Sequence, residues 1–128
     1  MTRASRRAVA ALSAVVASAV LVGCGEDREG GEVGRGQAIA EDAGCMACHS
    51  TGTDAKIGPA WGGIWGTEVE LADGRTAVVD EEYLRRSITD PEADVVAGFQ
   101  LAMPRVPLSD EEVDALVAYL RDVSGGGS

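Results

Sequence analysis

Cys45-Met46-Ala47-Cys48-His49 limits what this chain of 128 residues can become more than any other stretch of it. In an exported protein, two thiols three residues apart followed at once by an imidazole form the Cys-x-x-Cys-His pattern of c-type haem attachment. The spacing has a physical basis. Two such thiols can reach two edges of one porphyrin, and the next residue then lies beneath the iron with a ring nitrogen to offer. Other uses of the motif fail on counting. A structural zinc site needs four ligands, whereas the chain has one His and three Cys. A thioredoxin-like redox pair belongs in a βαβ context, which the sequence lacks. A plain disulfide across two residues would leave His49 without a role.

The start of the chain reads as an export signal. Arg3, Arg6 and Arg7 make a positive region, and Ala8 to Val22 is an apolar run interrupted only by Ser13 and Ser18. That length suits a signal peptide and falls short of the ~20 residues that span a bilayer. Leu21-Val22-Gly23-Cys24 resembles a bacterial lipobox, so residues 1–23 are assigned to a cleaved leader and Cys24 to lipid attachment. With Cys24 lipidated and Cys45 and Cys48 in thioethers, no thiol is left over. Residues 24–32, polar and glycine-rich after the Cys, read as a flexible tether, and 125–128 as a flexible tail. The mature protein is then exported and anchored by lipid to a bacterial membrane, its haem domain on the periplasmic or outer face. Losing the leader's three Arg and no acids takes the formal charge from -10 to -13. So acidic a protein does not favour nucleic acid or bare anionic lipid as a partner.

Residues 33–124 read as one small helical domain. Val33 to Asp42 is a first helix with Ile39 inside, closed by Gly44. Gly58, Pro59, Gly62, Gly63 and Gly66 mark Lys56 to Gly66 as loop. Thr67 to Val79 alternates around Asp73-Gly74, a hairpin signal. Asp80 can cap a helix whose Tyr83, Leu84 and Ile88 share a face, and Asp90-Pro91 ends it. The last helix is the most clearly written. Ser109 and Glu112 form a capping box, and Leu108 and Val113 a hydrophobic staple. Val113, Leu116, Val117 and Leu120 then continue as one stripe. Aromatic residues make up only 4% of the chain, a thin supply for a core of this size that a buried prosthetic group would supplement.

The second axial ligand follows by elimination. His49 is the sole His, Met1 leaves with the leader, and Met46 lies inside the attachment motif. Met103 remains, followed by Pro104, which disfavours helix and suits a loop over the opposite haem face. The plainer role for Met103 is a core filler, and Lys56, the one lysine, is a poor competitor. Iron closed on both faces by His and Met suits electron transfer rather than substrate chemistry.

Beyond the attachment motif, Gly58-Pro59-Ala60, Val69-Glu70-Leu71-Ala72-Asp73-Gly74, Tyr83-Leu84-Arg85-Arg86-Ser87-Ile88, Asp90-Pro91, Gly98-Phe99, Met103-Pro104 and Leu108 to Leu120 complete a pattern. With these, Val33 to Val123 resembles the class I cytochromes c, and most nearly the cytochrome c domain of haem–copper oxidase subunit II. No copper-binding domain or membrane hairpin precedes it in the sequence given, so the reading is of a free-standing lipoprotein. The resemblance implies an all-α cytochrome c fold around one haem c. It implies that the Pro59 carbonyl accepts a hydrogen bond from His49, and that Gly36 lets the first and last helices cross near Tyr119. Trp61 stands where a smaller aliphatic is common, and it and Trp65 are assigned to the haem-pocket wall. Ala40 stands where relatives usually carry a large aromatic residue. The function implied is a single-electron carrier in a bacterial respiratory chain, exchanging electrons with redox proteins such as a haem–copper oxidase or a quinol-oxidising complex. Rival readings are a fixed haem subunit of a larger complex and a haem peroxidase or gas sensor with open iron.

Overall fold

The computed structural model describes residues 28–127. The leader, the lipid-attachment residue Cys24 and the first part of the tether lie outside the described residues. Four helices and one hairpin follow in the order α1 (Arg28–Asp42), α2 (Cys45–Cys48), β1 (Glu68–Glu70), β2 (Thr76–Val78), α3 (Glu81–Thr89) and α4 (Asp110–Arg121), with a wide terminal turn over Asp122–Gly126. The all-α reading holds, with the small antiparallel hairpin the one sheet among the described residues.

Helix α1 begins at Arg28, ahead of the Val33 read from the sequence. Once packing has nucleated a helix, extending it into solvent costs little, even through poor formers such as Gly31. Part of the stretch read as tether is therefore helix. The other local signals behave as their chemistry dictates. Gly44 sits at φ 76°, a left-handed turn between α1 and α2 that other residues resist. The Asp80 carboxylate accepts from the Tyr83 amide at 2.8 Å at the start of α3. Both arms of the Ser109–Glu112 capping box are formed at the start of α4.

Packing rests on α4, which is buried on a wider arc than its stripe announced. Val113, Leu116, Val117 and Leu120 are buried, and so are Ala115 and Tyr119. That second pair faces α1. A Cβ built on Gly36 would lie 2.0 Å from the Ala115 carbonyl oxygen and 2.6 Å from Tyr119 Cβ. The helices therefore meet at backbone distance, and Ala40, one turn on from Gly36, is wholly buried. A large aromatic side chain at Ala40 would wedge this crossing apart. Small residues on α1 set its closeness.

The chain's end is a correction. Residues 125–128 were read as a flexible tail, but the chain stays packed through Gly126. Ser124 is 1% exposed, its carbonyl accepts from the Trp65 amide at 3.0 Å, and Gly126 abuts the Trp65 ring. The Arg121 guanidinium covers the same ring at 5.2 Å and donates to the Gly126 carbonyl at 3.0 Å. Glycine composition suggested mobility, whereas here the missing side chains let backbone lie flat against indole.

Gly36→Ala tests the crossing. Alanine gains ~1 kcal/mol of helix propensity, but the clash is with backbone, which moves only by separating the helices. A net destabilisation of roughly 1–2 kcal/mol should appear as a lower denaturant midpoint at unchanged m-value.

Candidate functional site

The attachment residues occupy one turn, α2, and the segment after it is held by its own return. Gly58 N donates to the Cys48 carbonyl at 2.8 Å, Trp61 N to Ser50 at 2.8 Å and Gly62 N to Gly52 at 2.9 Å. The Lys56 ammonium donates to the Met46 carbonyl at 3.0 Å. Residues 56–62 thus fold back along 46–52, which carries the Pro59 carbonyl to 2.8 Å from His49 Nδ1. A carbonyl can only accept, so Nδ1 bears the proton of this bond, and in the neutral ring the lone pair is on Nε2. The imidazole also lies flat against the chain. A Cβ on Gly58 would meet its Cε1 at 2.6 Å, backbone space that only glycine leaves open. On its other side Trp61 stacks at 5.0 Å between ring centroids and 18° between planes.

Cys45, His49, Pro59 and Trp61 line a cleft that Phe99, Leu101 and Met103 also border. Leu84 and Ile88 of α3 and Leu116 and Leu120 of α4 supply its apolar lining. The cleft's cavity volume is about 130 Å³. A single water needs only ~10–15 Å³ by the same measure, and the lining is largely apolar, so the space suits an organic group rather than a bare ion. Among the described residues, no group of three or more His, Cys, Asp and Glu is arranged to hold a metal ion unaided. The Cys45 thiol is pushed up from its ordinary value by burial, with the Cys48 charge adding to the shift and its own backbone N–H opposing it. Such a thiol stays protonated. A disulfide-exchange nucleophile needs the opposite shift.

The sequence-derived residues thus converge, with exceptions. Cys48 is half-buried in α2 beside Cys45 but is not part of the cleft wall. Trp65 is corrected outright, since it packs on Gly126 and Arg121 rather than lining the cleft. Nearness to Trp61 in sequence misled, because Gly62 and Gly63 turn the chain between them. Sequence reasoning missed Asp94, a cleft residue whose side chain is 2% exposed. Its only signal was an acid directly before the apolar pair Val95-Val96.

The residues fit a covalently held haem: two thiols on one turn, an imidazole with Nε2 free, and a wide apolar cleft. Comparison with known proteins agrees. A family model described as Cytochrome c matches residues 33–124. No curated protein matches the chain.

Gly58→Ala should force the imidazole off the backbone and lengthen the His49–Pro59 hydrogen bond. Overpacking of this kind costs roughly 1–3 kcal/mol. Thermal unfolding of the holoprotein should record the loss, and the Nδ1 proton should exchange faster by NMR.

Proposed function

The chain belongs to the cytochrome c family, carries a covalently bound c-type haem and is a haem-based electron carrier; on that premise we propose that His49 and Met103 are the axial ligands and that the protein serves a bacterial respiratory chain from a lipid anchor. The bound haem supplies a one-electron ferric–ferrous couple. Cys45 and Cys48 hold it through thioethers, and His49 offers Nε2 to the iron. The observation that carries the ligand assignment is the 2.8 Å contact between His49 Nδ1 and Pro59. It fixes the tautomer and ring orientation that a ligating imidazole needs. Met103, on a loop bordering the same cleft, offers a thioether, which raises the reduction potential relative to harder ligands. The apolar lining excludes water, so little solvent reorganises when the charge changes.

Anchoring rests on the leader and Cys24. With α1 starting at Arg28, only Gly25, Glu26 and Asp27 separate that helix from the lipidated residue. At ~3.3–3.6 Å per residue even a fully extended link is short, which holds the haem domain close to the bilayer and to membrane-bound partners. With 21 acidic residues against 11 basic ones, complementarity favours a donor or acceptor whose docking surface is basic or largely apolar. Candidate partners are a haem–copper oxidase or a quinol-oxidising complex with such a surface.

Two outcomes test this reading. Met103→Ala should abolish the weak long-wavelength absorption of an iron–thioether bond, lower the reduction potential and let the reduced protein bind carbon monoxide. Ready carbon monoxide binding by the wild type at neutral pH would refute Met103 as a firm ligand and favour a peroxidase or sensor. For the anchor, mature protein should partition into the detergent phase and the Cys24→Ala form should not. Equal processing and partitioning of the two would end the lipoprotein reading.

A further inference from the structure

Met103 lies on a stretch with almost no backbone structure of its own. Among the described residues, Gln100 to Leu108 make no backbone–backbone hydrogen bond, so this loop is ordered by its side chains and by its anchored flanks. Upstream, residues 93–97 lie along β1. Ala72 N donates to the Val95 carbonyl and Ala97 N to the Glu70 carbonyl, both at 2.8 Å, and Leu71 bridges Val96. At the head of this ladder stands Asp94, its side chain 2% exposed.

The Asp94 carboxylate is gripped from two other elements. Arg75, in the hairpin turn, donates from Nη2 to Oδ1 at 3.1 Å. Arg86, on α3, donates from Nε to Oδ2 at 2.5 Å. Arg75 also donates to the Ala93 carbonyl at 3.1 Å, and its own angle is set by Asp73 at 2.7 Å. Arg86 reaches Glu82 at 3.4 Å. Downstream of Met103, Arg105 donates to the Thr89 carbonyl at 2.8 Å and to Asp90 Oδ1 at 2.7 Å. The loop is therefore clamped by charge on both sides of the methionine, and the clamps differ in strength. The Arg105–Asp90 pair is 61% and 54% exposed, a setting in which ion pairs are worth little. Arg75 and Arg86 are themselves 59% and 39% exposed, but the Asp94 carboxylate they hold is buried, where a charge deprived of its partners is costly.

We infer that Asp94, held by Arg75 and Arg86, is the positioning residue for Met103, locking the distal loop to the hairpin and α3 so that the thioether stays over the cleft. An apolar side chain in the same space could pack at least as favourably. What the carboxylate adds is direction, because two guanidinium donors from different elements fix the position of one loop residue. The inference rests on Met103 as an iron ligand, and the experiment keeps the two apart.

Full-length holoprotein is prepared as wild type, Asp94→Asn, Asp94→Glu, Arg75→Gln, Arg86→Gln and Arg105→Gln. Long-wavelength thioether absorption and the rate of carbon monoxide binding to reduced protein are read at a temperature where far-ultraviolet circular dichroism shows every variant folded. Asp94→Asn keeps the shape but not the charge. It should weaken the absorption and speed carbon monoxide binding by about tenfold or more, as expected when two charge-assisted hydrogen bonds to one carboxylate are weakened. Asp94→Glu should recover part of both. Arg105→Gln should change the rate by no more than about fivefold. Should Asp94→Asn fail to fold, Arg75→Gln and Arg86→Gln each remove one grip, and either should speed binding above the wild-type rate. A wild type with the thioether band, alongside folded Asp94 or Arg75 and Arg86 variants that keep it and exclude carbon monoxide, overturns the inference and leaves the ligation standing. A larger effect from Arg105→Gln than from Asp94→Asn also overturns it. A wild type without the band removes the ligation, and the inference with it.

Discussion

The contact between His49 Nδ1 and the Pro59 carbonyl is short-range in space but depends on the backbone folding back ten residues later. Proline has no N–H to satisfy, and its fixed φ helps hold its carbonyl in one direction. The cross-bonds from Gly58, Trp61 and Gly62 to the attachment segment then leave that carbonyl little freedom. An imidazole presented in this way has one tautomer and one orientation before any ligand bond forms, so ligation need not order it. Bond geometry that changes little between oxidation states is what a fast one-electron carrier requires. The same rigidity explains why Gly58 must lack a side chain: a Cβ there would occupy the space of the ring itself.

The two faces of the cleft are stabilised by different physics. The His49 face is held by neutral backbone hydrogen bonds and by aromatic stacking on Trp61. The Met103 face is held by charge, through Asp94 and Arg105, over a loop without backbone hydrogen bonds of its own. Hydrogen-bonded turns resist local opening more than loops pinned at their ends. On the proposed ligation by His49 and Met103, exchange at the iron should therefore begin on the methionine side. A side chain tied by several backbone contacts is a poor candidate for release, and a side chain tied through its neighbours is a better one.

What the sequence revealed was whatever chemistry acts over a few residues. The attachment motif, the Ser109–Glu112 box, the Asp80 cap and the Asp73-Gly74 turn are each complete within a handful of positions, and each is found in place. The Gly36 crossing was legible only through family resemblance, since nothing local says which glycine meets Ala115 and Tyr119. Asp94 was hidden because its partners come from Arg75 and Arg86, on elements that precede it. In sequence a buried acid looks like a surface one. Trp65 and the terminal glycines misled in opposite directions: an aromatic residue suggested the cofactor and glycines suggested freedom, and the two proved to pack on each other.

Helix crossing and haem site also share atoms, which ties stability to function. Tyr119 touches Gly36 on one side and presents its ring edge to Trp61 at 6.3 Å and 89° on the other. Trp61 in turn stacks on His49. From α1 to the imidazole the packing is therefore continuous through two aromatic rings. Helix α4 has to serve both tasks, with Ala115 and Tyr119 toward α1 and Leu116 and Leu120 toward the cleft. Side chains this closely packed do not deform gradually, because interiors pack near crystal density. A change in the spacing of α1 and α4 must then be taken up in the Trp61–His49 stack or in a cavity beside it. That is why a chain so poor in aromatic residues places two of its five in this one line. Large rigid rings carry the position of the helix pair to the His49 imidazole, which several small aliphatic side chains would do less faithfully.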